Sequence, residues 1–367
     1  MKRTFVVSLG LFLSFLLCLS IASAQSSPSS SSSSRLPLGS LSGINALRSC
    51  PYGFYPGASC YQATVSCPGT DSLGITYGYS IPSGIPRGTI VLFNGSGGTQ
   101  PYGTGYGQRS YVETYLQAGY QVVETAWDTD WEITSSQGSQ GPKIAACRPA
   151  TLLNYVHQNF YKGDGGMCAQ GASAGSGALA YALSYYGSGD YLDKVELLSG
   201  PVFGDIEQGC VEPEGPSLTV CSLGQYGCVG QQWTLKPQYV QGSRNGVSKW
   251  TGHKCQPSNG ATPSQTNSSW KAMSIVDGTN APSFVYPQTA MAGWLCSNGL
   301  NNSAAEAQFF YQKFTGRGQA AEYSVTRIDN CIGPEGVAEG MTPSGKSGFV
   351  AITSDMTDPV AGCIKRH

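Results

Sequence analysis

The chain has 367 residues, 40% of them apolar and only 12% charged, with 21 Lys+Arg against 22 Asp+Glu for a formal charge of −1. A balance this close to neutral, with no basic stripe, excludes nucleic acid and anionic membrane surfaces as expected partners. Thirteen cysteines beside three histidines, with no CxxC spacing, point to disulfides and away from a zinc site.

The N-terminus reads as a secretory signal over residues 1–24. Met1-Lys2-Arg3 is basic, residues 5–21 are mostly apolar, and Ala22-Ser23-Ala24 gives a small-x-small cleavage pattern. The apolar run is too short to span a membrane comfortably and does not recur, so no stable membrane anchoring is expected. Residues 25–40 form a Ser/Pro-rich tract that reads as a flexible leader. Without Cys18, twelve cysteines are left, enough for six disulfides whose pairing stays open. The expectation is a secreted, extracellular protein of one large domain over residues 41–367.

From about residue 60, strand and helix patterns alternate. Residues 74–81 (GITYGYSI) and 88–94 (GTIVLFN) read as strands, the second apolar throughout as a buried strand would be. A short helix follows, with capping-box spacing from Ser110, then a strand at 120–127 and a helix over 146–160. A strand at 166–170, a helix from Gly175 to Tyr186 and a strand at 192–199 come next. Residues 205–275 lose periodicity and carry Cys210, Cys221, Cys228 and Cys255, which reads as a disulfide-stapled, cap-like insertion. Strand 281–287 (APSFVYP), a helix opened by Ser303, a strand near 320–329 and a helix near 344–356 complete the chain. This alternation predicts an α/β fold with a doubly wound, mostly parallel sheet.

Two stretches carry chemistry. Gly171-Ala172-Ser173-Ala174-Gly175 is a Gly-x-Ser-x-Gly pattern between a strand-like and a helix-like run. A serine on so sharp a turn projects its hydroxyl above the sheet, and the following helix aims its positive end at a developing oxyanion. Asn94-Gly95-Ser96-Gly97-Gly98 follows an apolar strand earlier in the order, where an oxyanion loop belongs. The predicted donors are the N–H of Ala174 and one from Gly95 or Ser96. The plainer alternative is a packing corner and a flexible turn.

The strand order, the NGSGG loop, the GASAG elbow and the late insertion together resemble the α/β-hydrolase superfamily of esterases and lipases, over roughly residues 60–360. The resemblance implies hydrolysis of an acyl ester without a cofactor, and partners in the order Ser, acid, His. The chain departs from that order, because its last strand runs into Asn330-Cys331-Ile332-Gly333-Pro334-Glu335-Gly336 with no histidine. His157 stands before the nucleophile and His253 within the insertion. His367, the final residue, is alone in the right order and is the expected base, with His253 and Glu335 as alternatives. Asp205, after the strand ending near Ser199, is the expected acid; Asp128, Asp130 and Asp277 read as turn residues. Cys296 and Cys331 follow the two strands that ordinarily precede the acid and the histidine, so a disulfide is a candidate for that ground.

These readings predict a secreted serine hydrolase that cleaves a carboxylic ester, in a small molecule or a polymer, through an acyl-enzyme on Ser173. The alternative is an inactive hydrolase fold acting as an extracellular binding or structural protein.

Overall fold

The computed structural model describes residues 35–104, 108–134, 141–206, 218–220, 231–233, 267–276, 283–297, 304–314, 320–332 and 336–367. In chain order the strands are β1 (Ser40–Ala46), β2 (Ser59–Ser66), β3 (Leu73–Ser80), β4 (Gly88–Phe93), β5 (Gln121–Trp127), β6 (Gly166–Ala172), β7 (Lys194–Leu198), β8 (Leu218–Val220), β9 (Gln231–Trp233), β10 (Ala290–Cys296) and β11 (Tyr323–Ile328). The helices are α1 (Gln108–Gln117), α2 (Gly141–Ala145), α3 (Cys147–Asn159), α4 (Ala174–Tyr186), α5 (Asn267–Met273), α6 (Ala304–Tyr311) and α7 (Gly348–Thr357).

The expected doubly wound sheet forms, with nine strands in the order β1-β2-β3-β5-β4-β6-β7-β10-β11. β5 through β11 in that order run parallel, while β1, β2 and β3 are antiparallel additions at one edge. β8 and β9 form a separate small hairpin inside the expected insertion.

Strand periodicity divides the core in two. Val91, Phe93, Met167, Ala169, Val195 and Leu197 face the side packed by α3 and α4. Ile90, Leu92, Cys168, Leu198 and Trp294 face the side where Tyr111, Val112 and Tyr115 of α1 meet Ile352 and Met356 of α7. Because both faces are covered, β4, β7 and β10 are buried along their whole length.

Three expectations are corrected. Over its described residues, 283–287, the predicted strand at 281–287 is not one; the strand is β10, in the uninterrupted apolar run AMAGWLC. Pro282 and Pro287 cannot donate to a ladder, whereas the later run has nothing to break it. Helix α1 begins at Gln108, so Ser110 lies inside it and is not its cap. The described end of the expected leader is docked: Leu36 N–H donates to Tyr185 O at 2.8 Å and Gly39 N–H to Thr151 Oγ1 at 2.8 Å.

Of the expected disulfides, four are present among the described residues: Cys50–Cys60, Cys67–Cys147, Cys168–Cys363 and Cys296–Cys331. The four cysteines of the insertion lie outside the described residues.

Candidate active site

The chain goes from β4 to β5 on one side, then crosses back over β4 to reach β6. The loops at the carboxyl tips of β4 and β6 therefore flank the point where the winding reverses, the place in an open α/β sheet where a ligand crevice forms. The NGSGG loop follows β4 and Ser173 follows β6.

Ser173 has φ 49° and ψ −113°, a conformation an L-residue adopts only when its surroundings impose it. Its N–H donates to Leu198 O of β7 at 2.8 Å, and its carbonyl accepts from Ser176 N at 3.0 Å and Gly177 N at 3.2 Å. The turn closes because Gly171 and Gly175 lack side chains. A Cβ on Gly171 would overlap the Gly175 carbonyl, and one on Gly175 would overlap Phe93 O at the end of β4. Both glycines of the motif are thus required by backbone approach. Ala174 opens the 13-residue α4, so its N–H is among the first-turn amides with no intrahelical acceptor, at the positive end of the helix dipole.

The NGSGG loop sits against Ser173. A Cβ built on Gly95 would lie 3.2 Å from Ser173 Cβ and 3.3 Å from Ala172 O. Ser96 follows at φ 49°, a second strained serine beside the first. Asn94, which sequence reasoning passed over in favour of the glycines, is buried, and its side chain spans the loop. Its Oδ1 accepts from Gly95 N at 2.8 Å, and its Nδ2 donates to Gln100 O at 3.2 Å and Pro101 O at 3.3 Å. The available signal was an asparagine directly after a buried strand, where its amide competes well for local backbone groups. Asp130 lies against Gly97, whose positive φ and missing Cβ accommodate it.

The expected base is elsewhere. His367 N–H donates to Asp193 Oδ1 at 3.0 Å, and its Nε2 lies 3.2 Å from Leu192 O. Leu192 and Asp193 precede β7 at its amino end, whereas Ser173 meets the carboxyl end of β7 at Leu198. Five residues of strand separate the two sites, about 17 Å at ~3.3 Å per residue. The Cys168–Cys363 disulfide ties the tail near the amino end of β6, whereas Ser173 follows its carboxyl end. His157 is at that same end, stacked between Tyr161 and Tyr191; burial first, then nearby His367, lowers its pKa, against the pull of Asp193. A cavity of 330 Å³ lined by Arg35, Asp190, Tyr286 and His367 opens there and includes no residue of the elbow or oxyanion loop.

Asp205 lies buried beyond the carboxyl tip of β7, in a segment whose Val202 packs against Gly177 of α4. Like Ser173, it follows the carboxyl end of its strand. Cys296–Cys331 joins the ends of β10 and β11, the ground where the resemblance implied an acid and a histidine. His253 and Glu335 lie outside the described residues. No group of three or more His, Cys, Asp or Glu able to hold a metal occurs among the described residues.

No protein-family model matches the sequence, and no curated protein matches it. Among solved structures the chain is similar to acetyl xylan esterase 1 from Thermoanaerobacterium sp., at 9% identity and TM-score 0.45, covering 81% of this chain and 83% of that one. It is also similar to brefeldin A esterase, described as a bacterial homologue of human hormone sensitive lipase, at 13% identity and TM-score 0.45, covering 86% and 80%. Est1E from Butyrivibrio proteoclasticus matches at 10% identity and TM-score 0.37, covering 74% and 90%.

Proposed function

We propose that this chain, an α/β-hydrolase by its strand order and elbow, is a secreted serine hydrolase that cleaves a carboxylic ester through an acyl-enzyme on Ser173. The observation that carries the reading is the strained Ser173 at the β6–α4 turn with the Gly95 backbone packed directly beside it. Strain of this kind persists only where the surroundings over-determine it, and it clusters at reactive positions.

In the proposed reaction Ser173 Oγ attacks the acyl carbon and gives its proton to a base. The carbonyl oxygen becomes an oxyanion, held by the N–H of Ala174 and one from the β4 loop, with the α4 dipole behind it. Collapse expels the alcohol and leaves the acyl group on Ser173; water, deprotonated by the same base, then releases the acid. Asp205 is the proposed acid. With His367 at the far end of the sheet, the base of the proposal is His253 or Glu335. The substrate is an extracellular ester, in a small molecule or a polymer.

Fluorophosphonate labelling of the purified protein from pH 4 to 8, with peptide mapping, tests this. Stoichiometric labelling at Ser173 is expected, absent in Ser173→Ala. A rate that fades below about pH 6.5 identifies an imidazole base, and one that persists near pH 4.3 a carboxyl base. A folded protein that takes no label at any pH would sink the enzyme reading in favour of the binding protein.

A further inference from the structure

The NGSGG loop offers two candidate donors, and the glycines alone do not choose between them. The buried amide of Asn94 does. By accepting from Gly95 N–H, Asn94 Oδ1 occupies one of the two candidates within the protein. The next amide in the chain, that of Ser96, has no hydrogen-bond acceptor among the described residues. It is bonded to the Gly95 carbonyl carbon, so it sits next to the backbone that packs on Ser173 Cβ.

The same side chain closes the loop from inside. Asn94 Nδ2 reaches the carbonyls of Gln100 and Pro101, six and seven residues on. Past that point the loop is pinned twice to the sheet. Gln170 of β6, three residues before the nucleophile, donates from Nε2 to Tyr102 OH at 2.6 Å and accepts from Tyr115 OH. Glu124 of β5 accepts from Gly103 N at 2.8 Å and from Tyr55 N at 2.9 Å. Asn94, Gln170 and Glu124 are all buried. Donors fixed before reaction stabilise a developing charge without reorganising, and that is where an oxyanion site gains its effect.

We infer that the loop donor is the N–H of Ser96, and that Asn94 is the positioning residue that selects it by engaging Gly95 N–H and bracketing the loop. This rests on the serine-hydrolase reading above. Asn94 touches no reacting atom in this scheme. Its loss slackens the placement of Ser96 N–H, and the effect falls on the transition state.

The test compares Asn94→Ala and Asn94→Asp with the unaltered chain, using p-nitrophenyl acetate for turnover. A trifluoromethyl ketone, which forms an oxyanion when Ser173 adds to it, serves as the analogue, and fluorophosphonate labelling reports Ser173 itself. A lost oxyanion donor costs roughly 100- to 1000-fold in kcat, so a misplaced one is expected to cost about 10- to 100-fold. KM should move little, and ketone affinity should weaken in parallel with kcat. If Asn94→Ala does not fold, Asn94→Leu replaces it, near Asn in shape and without donor or acceptor; Asn94→Asp keeps the Oδ1 acceptor and loses only the two donated bonds, so it isolates the bracketing. Unchanged kcat and ketone affinity in folded Asn94→Ala or Asn94→Leu, with Ser173 still labelled, would overturn the role of Asn94 and leave the nucleophile in place. An unaltered chain that neither turns over nor labels removes the reading on which both rest.

Discussion

Ser173 and His367, both expected in one triad, respond very differently to the same fold. The serine is held by local geometry: two glycines that must be glycines, a first-turn amide, and a neighbour loop close enough to touch its Cβ. The histidine is held by a distant covalent tie and two contacts at the amino end of β7. Deleting His367 is therefore expected to leave turnover within about twofold of the full chain, a change of roughly 0.4 kcal/mol in barrier. Steady-state kinetics with an activated ester measures this. A deletion that abolishes turnover without unfolding would mean that the tail reaches the carboxyl tips after all.

Among the elements, β7 carries an unusual load. Lys194 and Glu196 point from it into the α1–α7 side of the core, both essentially without solvent contact. Lys194 Nζ lies 2.9 Å from Asp355 Oδ2 of α7 and donates to the Asp355 and Ala361 carbonyls. Burial first, and Asp355 second, push the Glu196 carboxyl well above its usual range, against the smaller pull of Lys194; Tyr115 of α1 also faces this group. Folded Glu196 consequently stays protonated at pH values where the unfolded chain has already ionised it. The unfolded state then binds fewer protons, and stability falls as pH rises above the ordinary carboxylate range. Glu196→Gln is neutral throughout and removes that slope. Its melting temperature should gain on the unaltered protein steadily from pH 5 to pH 8, by about 2–4 °C for each kcal/mol recovered. A gap that does not change with pH would show that Glu196 ionises normally.

At the scale of the molecule, the four described disulfides close loops of very different length. Cys50–Cys60 spans 10 residues, Cys296–Cys331 35, Cys67–Cys147 80 and Cys168–Cys363 195. If chain entropy dominates, removing the longest should cost about 5 kcal/mol and the shortest about 2.7 kcal/mol. Paired Cys→Ala variants of Cys168–Cys363 and Cys50–Cys60, compared by denaturant unfolding, check the order. Equal losses would argue that local packing, and not loop length, sets the contribution. The Cys168–Cys363 variant also frees the tail that now sits under the sheet, so its kinetics independently test whether His367 takes part when released.

Much of this protein is determined by sequence-local physics. Continuous apolar runs such as GTIVLFN mark buried strands because both faces of a parallel sheet are covered, and the Gly-x-Ser-x-Gly run closes the tight β6–α4 turn because its two glycines allow the backbone to approach. The pairing of Cys296 with Cys331 was a candidate only through the family resemblance, and the disulfide forms at the ends of β10 and β11. Two matters turn on the tertiary structure. The end of the sheet that the C-terminal tail reaches depends on which cysteine Cys363 meets, a long-range choice that no spacing encodes. The proposed donor of the β4 loop depends on where the Asn94 amide turns once that loop is pinned to β5 and β6. Local pattern specifies elements and turns because their forces act over a few residues. The partners of a reactive serine are brought together from positions far apart in the chain, and only the closed sheet decides which of them arrive.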